Sequence, residues 1–290
     1  MTSWIARVCV FALCVGVSLG QASGQSPSDP PPPENQVIGV FGDSLADGLW
    51  IGINRAYRND PRVDDVARLS EVSTGMANWV YRDIAEKTAD QLAQRQYDVA
   101  VVLFGSNDIQ GIRDDTGGVH RFRSSSWEAI YSARVDEIIT QLQAHGASVY
   151  WVGLPVMRSN GYDRNVQYLN AIFRERAAAL GAVYIDTRAV MAGADGGYTA
   201  YLPDRNGVDR LVRSDDGIHF TLPGYVRMAA PVIAAIEEGW RNPPPPPLTP
   251  EEEWAERLGL VELATDDGPY VCLRPDVLED LLARAGETTN

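Results

Sequence analysis

A hydroxyl, an imidazole and a carboxylate are the working parts of an acyl-transfer site. This chain offers one set: Ser44 in Gly42-Asp43-Ser44-Leu45, with Asp216 and His219 in Asp216-Gly217-Ile218-His219. A serine hydroxyl is a weak nucleophile until a base takes its proton, and the base needs a third group to hold its other nitrogen. An aspartate three residues before a histidine, on a turn, can hold the imidazole N–H in that way. Asp215 is the competing acid, and its longer spacing ranks it behind Asp216. The chain has three histidines. His145 precedes Gly146 at the end of a helical run, where the helix dipole accounts for it, and His120 reads as a surface residue of a long polar loop. A developing oxyanion needs donors, which the side-chain amide of Asn107 and the backbone N–H groups of Gly75 and Ser44 could supply. Each residue also has an ordinary alternative: Ser44 as a helix N-cap, Asn107 and Gly75 as turn residues.

These residues fall at the ends of predicted elements. Val37 to Phe41 reads as a buried strand, followed by a helix from Asp47 to Tyr57, so Ser44 lies on the turn between them. Val63 to Leu69 is a weaker strand leading into the polar turn of Gly75, and Asn78 to Gln94 an amphipathic helix. Tyr97 to Phe104 is a continuous apolar run of the kind a fully covered parallel strand shows, and it ends at Gly105-Ser106-Asn107-Asp108. Helices are expected at Ser126 to His145, Val166 to Leu180 and Pro223 to Trp240, with strands at Ser148 to Leu154 and Val183 to Asp186. Met191 to Ser214 reads as irregular. Strands alternating with helices imply a parallel sheet covered on both faces. Ligands of such a sheet bind at the carboxyl ends of its strands, where Ser44 and Asn107 lie.

The 290 residues, 45% of them apolar, suffice for a sizeable core. A formal charge of −14 argues against nucleic acid or an anionic membrane surface as partner. Residues 1–24 have the layout of a secretory signal peptide, with Ala22-Ser23-Gly24 at the cleavage positions, and an uncleaved anchor is the alternative. Export to the periplasm or beyond is therefore expected. With that leader removed Cys272 stands alone, which excludes an internal disulfide and a Cys metal cluster. A Pro-rich linker over 25–35 precedes the main domain, 36–242, and a second linker over 243–248 follows it. Residues 249–290 carry 11 acidic and three basic residues, a net −8. Helices are expected there after Thr249 and from Pro275 to Ala285, making either a solvated appendage or a docking element for a protein partner.

The four blocks, in their order along the chain, resemble those of the SGNH/GDSL hydrolases. Gly42-Asp43-Ser44-Leu45 is similar to the first block with its nucleophile, Gly75 to the glycine of the second, Gly105-Ser106-Asn107-Asp108 to the third, and Asp216-Gly217-Ile218-His219 to the fifth, which carries acid and base. The resemblance spans roughly Val37 to Arg241. It implies a flavodoxin-like α/β three-layer sandwich of about five parallel strands, here with a small, mostly helical C-terminal appendage. The activity implied is hydrolysis of a carboxylic ester through an acyl-serine, with no metal or cofactor. Asp43 and Asp108 are expected to be structural. Arg113, His120, Arg121, Arg123 and Arg158 would border the site, and Trp50 and Trp79 are read as core in preference to sugar-stacking residues. The expected substrate is an acylated, in particular O-acetylated, envelope glycan or peptidoglycan. An O-acyltransferase with the same residues, or a non-catalytic envelope-binding protein of this fold, are the alternatives.

Overall fold

The computed structural model describes residues 33–78, 83–114, 116–242, 255, 257–265, 268–274 and 276–277. The expected signal peptide, most of both Pro-rich linkers, Trp79 and most of the tail's expected helices lie outside those residues.

Within the unit Pro30–Pro243 the elements follow in order. Strand β1 (Gln36–Gly42) leads into α1 (Ser44–Tyr57), β2 (Val63–Ser70), a 3₁₀ turn (Met76–Asn78), α2 (Ile84–Gln94) and β3 (Val99–Leu103). A small hairpin, β4 (Ile112–Arg113) and β5 (Val119–His120), precedes α3 (Ser125–Ala144), β6 (Ser148–Val152), α4 (Asn160–Ala179) and β7 (Val183–Ile185). Helix α5 (Arg188–Met191), a second hairpin of β8 (Tyr201–Pro203) and β9 (Asp209–Leu211), and α6 (Leu222–Arg241) complete it. Five strands pair side by side in the order β2-β1-β3-β6-β7, every pair parallel. The expected α/β sheet, helices on both sides, is what forms.

Hydrophobic burial explains the sheet. All five residues of β3 are buried, as are the last five of β1, so the centre of the sheet is dry on both faces. Helix α1 packs on α6, while α2 packs on α3 and α3 on α4. The α1–α6 seam is close because glycines line it: a Cβ on Gly48 would fall 1.9 Å from the Tyr225 ring, and one on Gly52 would fall 2.7 Å from the Ala229 methyl and the Tyr225 carbonyl. Trp127, stacked on Tyr131 at 4.5 Å, fills the opposite layer.

Three boundaries differ from expectation, each for a local reason. Helix α1 starts at Ser44 because Asp43 caps it, accepting the Leu45 N–H at 2.9 Å. Helix α2 starts at Ile84, capped by Asp83, since Met76–Asn78 form a separate 3₁₀ turn. Helix α4 starts at Asn160, capped by Ser159, before its apolar periodicity begins. The stretch expected to be irregular holds α5 and the β8–β9 hairpin. In the second unit, between the stretches expected as helix, β10 (Leu260–Thr265) and β11 (Gly268–Leu273) pair antiparallel, strands that the expectation of a mostly helical appendage did not include. Among the described residues no helix is long and apolar enough to cross a membrane.

Candidate active site

The sheet order reverses between β1 and β3, and both strands end in the blocks singled out from the sequence. In an open α/β sheet that reversal opens a crevice at the carboxyl ends of the strands. At the end of β1 the chain turns sharply: Gly42 has φ +147°, and a Cβ there would lie 2.0 Å from the Leu103 carbonyl oxygen, so only glycine fits. Ser44 follows as the first residue of α1, half-buried. Asp43, not Ser44, is the N-cap. As an N1 residue, Ser44 has no carbonyl four positions back within the helix to engage its N–H.

The turn before α6 supplies the partners. Ser44 Oγ lies 2.7 Å from His219 Nε2, and His219 Nδ1 lies 2.6 Å from Asp216 Oδ2. The second carboxylate oxygen, Oδ1, accepts the N–H groups of Ile218 at 2.8 Å and His219 at 2.9 Å. Partial burial works against the charged form of Asp216, yet the hydrogen bonds from His219 and these two N–H groups outweigh it and hold the carboxyl down at about 2. Asp216 is thus ionised beside the imidazole, oriented by the chain it caps. Asp215 contributes its backbone carbonyl to Arg158 Nη1, at 2.7 Å.

The chain brings Gly75 and Asn107 together. Asn107 Nδ2 donates to the Thr74 carbonyl at 2.7 Å, which uses one of the two amide protons. Gly75 is buried, and a Cβ on it would fall 2.3 Å from Asp108 Oδ1 and 3.3 Å from the Asn107 Cβ. Asp108, fully buried, accepts from the Ala77 N–H and the Tyr131 hydroxyl, both at 2.8 Å. Asp43 is equally buried; besides capping α1 it accepts the Ser106 hydroxyl at 2.7 Å and the Ser106 N–H at 3.2 Å. Burial pushes the Asp43 carboxyl up to about 6, against the pull of these hydrogen bonds, and the charge of Asp108 adds to the rise. Burial raises Asp108 as well. Asp43 ties the end of β1 to the end of β3, and Asp108 ties the end of β3 to Ala77 and to α3.

The other candidates occupy different places. His120 Nε2 pairs with Asp114 Oδ2 at 2.9 Å inside the β4–β5 hairpin, and Arg113 donates to Gly117 there. His145 is the C-cap of α3. Arg121 is exposed, and Arg123 lies over the Tyr168 ring at 4.6 Å. Trp50 donates to the Val66 carbonyl at 2.7 Å, holding α1 on β2 as a core-edge residue. Of the arginines expected to border the site, Arg158 meets the Asp216–His219 turn, lying across Gly217, whose φ is +75°.

One buried residue beneath the Asp216–His219 turn escaped the sequence analysis. Arg213, 1% exposed, donates to the carbonyls of Ile218, at 3.2 Å, and Val156. Its guanidinium lies 3.9 Å from the Phe220 ring centre and 5.1 Å from that of Tyr198. Burial lowers it to about 10. No carboxylate pairs with it among the described residues, so a buried cation underpins the Asp216–His219 turn through backbone carbonyls. Its only sequence signal is an arginine directly before Ser214-Asp215-Asp216.

The fold is the flavodoxin-like five-strand α/β sandwich that the SGNH/GDSL resemblance implies. The chain matches the family model described as "Protein of unknown function (DUF459)" over residues 37–235, and it belongs to that family. Among solved structures it is similar to a catalytic mutant of the acetylxylan esterase Axe2 from Geobacillus stearothermophilus, at 12% identity over 72% of this chain and 97% of that one, with a TM-score of 0.51. A second mutant of Axe2, described as an acetyl-xylooligosaccharide esterase, is 13% identical over 70% of this chain and 95% of that one, with a TM-score of 0.50. At these identities the likeness is one of fold. No curated protein sequence matches the chain.

Proposed function

We propose that the chain is a serine ester hydrolase whose catalytic triad is Ser44, His219 and Asp216. The observation that carries this reading is the unbroken line of short contacts from Ser44 Oγ to His219 Nε2, 2.7 Å, and from His219 Nδ1 to Asp216, 2.6 Å. Ser44 Oγ attacks the ester carbonyl carbon while His219 Nε2 takes its proton, and Asp216 stabilises the imidazolium. The tetrahedral oxyanion is met by the N–H groups of Ser44 and Gly75 and by the free proton of the Asn107 amide. Collapse expels the alcohol, which leaves with the proton from His219. Water then attacks the acyl-serine, His219 acting first as base and then as acid, and the carboxylic acid departs. None of these steps needs a metal or cofactor, because every proton transferred has its donor and acceptor within the triad.

The acyl group proposed is acetyl, carried on a cell-envelope glycan or peptidoglycan, and the protein is proposed to work after export. Residues 1–24, with their leader-like layout, and the Pro-rich linkers on either side of the domain support that setting. Purified protein is expected to hydrolyse p-nitrophenyl acetate and to release acetate from O-acetylated glycans, with Ser44→Ala inactive on both. Mass spectrometry of a trapped intermediate should add one acetyl group to Ser44. Equal rates for wild type and Ser44→Ala would overturn the reading. Acetate appearing on an added sugar in preference to water would assign the transferase reaction instead.

A further inference from the structure

Beside α6 lies an open groove of about 640 Å³. Its floor is apolar, built from Leu202, Val212 and Pro223, and its walls carry four arginines from three elements. Arg55 comes from α1, Arg205 and Arg210 from the β8–β9 hairpin, and Arg227 from α6. Asp204, the one acidic lining residue, is engaged by Arg210 at 2.9 Å. Arg227 donates to the carbonyls of Val190 and Pro203 and forms no ion pair with any described residue. Arg55 and Arg205 are exposed and form no ion pair with any described residue. The lining therefore carries three positive charges in excess on a chain whose formal charge is −14. Self-repulsion of four guanidinium groups is unfavourable without an anion to share, and a concave basic patch on an acidic surface focuses the field on that spot.

The groove belongs to the same body as the proposed active site. Pro223 and Val212 each lie within a few residues of His219, and the Thr221 hydroxyl donates to the Leu211 carbonyl at 2.6 Å, tying the hairpin to the entry of α6. Arginine is the side chain suited to carboxylate and phosphate oxygens, and an apolar floor suits the C–H faces of sugar rings. We propose that this groove binds an anionic glycan chain, so that the ester cleaved at Ser44 is one borne by a polyanionic sugar polymer. The binding site stands on its own observations; the link to cleavage rests on the esterase reading above.

Binding can be read without turnover. Full-length Ser44→Ala protein is titrated by calorimetry with oligogalacturonate, with phosphorylated dextran oligomers and with neutral xylo-oligosaccharide. Oligogalacturonate is expected to bind, the neutral oligomer not, and affinity should fall steeply with added salt. Binding of phosphorylated dextran as well would extend the site to phosphate, and its absence would restrict it to carboxylate; either outcome supports the proposal. The variant R55E/R205E should lose about tenfold or more in oligogalacturonate affinity, while p-nitrophenyl acetate hydrolysis in the Ser44 form stays at the wild-type rate. A neutral oligomer that binds equally well, salt-independent binding of the wild type, or R55E/R205E with wild-type affinity would overturn it. Intact groove binding alongside an inactive wild type would reject the esterase reading alone.

Discussion

Asp108 accepts the backbone N–H of Ala77 at 2.8 Å, and through that bond the strand end bearing Asn107 grips the loop bearing Gly75. Two oxyanion donors proposed from distant stretches of sequence are thus held by one buried carboxylate. In Asp108→Ala the N–H of Ala77 and the hydroxyl of Tyr131 lose their acceptor, at a cost of about 1–3 kcal/mol each. The expected outcome is a lower melting temperature together with a fall in kcat larger than any rise in KM, measured on p-nitrophenyl acetate. An unchanged kcat would show that the Gly75 loop holds its place without Asp108.

The histidines separate cleanly. His219→Gln is expected to lose about a thousandfold or more in kcat/KM, whereas His120→Gln, which breaks only the contact with Asp114 in its own hairpin, leaves turnover near wild type. Steady-state kinetics of the two variants side by side check this, and the reverse result would move the base to the hairpin.

Arg213 gives a sharper test, because it touches the acid–base turn only through carbonyl oxygens. Arg213→Met leaves the Ile218 and Val156 carbonyls without their donor, and loss of such buried partners costs about 1–3 kcal/mol. A fall in kcat with KM little changed is expected, together with a shifted pH–rate profile, since the buried cation beside Asp216 is gone. Lysine cannot reach both carbonyls from one fork, so Arg213→Lys should recover the profile in part and the rate less.

One buried and one exposed carboxyl make stability depend on pH in opposite senses. Asp216 is depressed from 3.8 to about 2, so its contribution is present above 3.8 and is lost as the pH falls towards 2. Asp43 is raised from 3.8 to about 6, so its protonated form favours the fold, and that contribution fades as the pH rises from 3.8 to 6. The Asp43 effect is on the order of 3 kcal/mol. Urea unfolding across this range should show the Asp43 slope in wild type and not in Asp43→Asn, and identical slopes would place the titration elsewhere.

Much of this was legible before any coordinates. The five-strand sheet followed from apolar runs such as Tyr97 to Phe104, which only a doubly covered strand tolerates, and Asp216-Gly217-Ile218-His219 announced itself by spacing. Helix starts were less legible. The first turn of α4, from Asn160, is polar and lacks the apolar repeat that begins at Val166, so its cap at Ser159 was hidden in a loop. The β8–β9 strands are three residues each, too short for an alternation to register. Arg213 was invisible for a different reason: an arginine in a polar run reads as solvated, and only tertiary packing against Phe220 and Tyr198 makes it core. The arginine groove was missed likewise, since Arg55, Arg205, Arg210 and Arg227 are scattered along the chain and converge only in space.

The glycine seam between α1 and α6 has a mechanical consequence. Ser44 opens one of those helices and His219 stands just before the other, so the spacing of hydroxyl and imidazole is gauged by a seam in which the Tyr225 ring sits against Gly48 and the α6 backbone meets Gly52. A wedge of one methyl at Gly48 would act as a lever, prying nucleophile from base while touching neither.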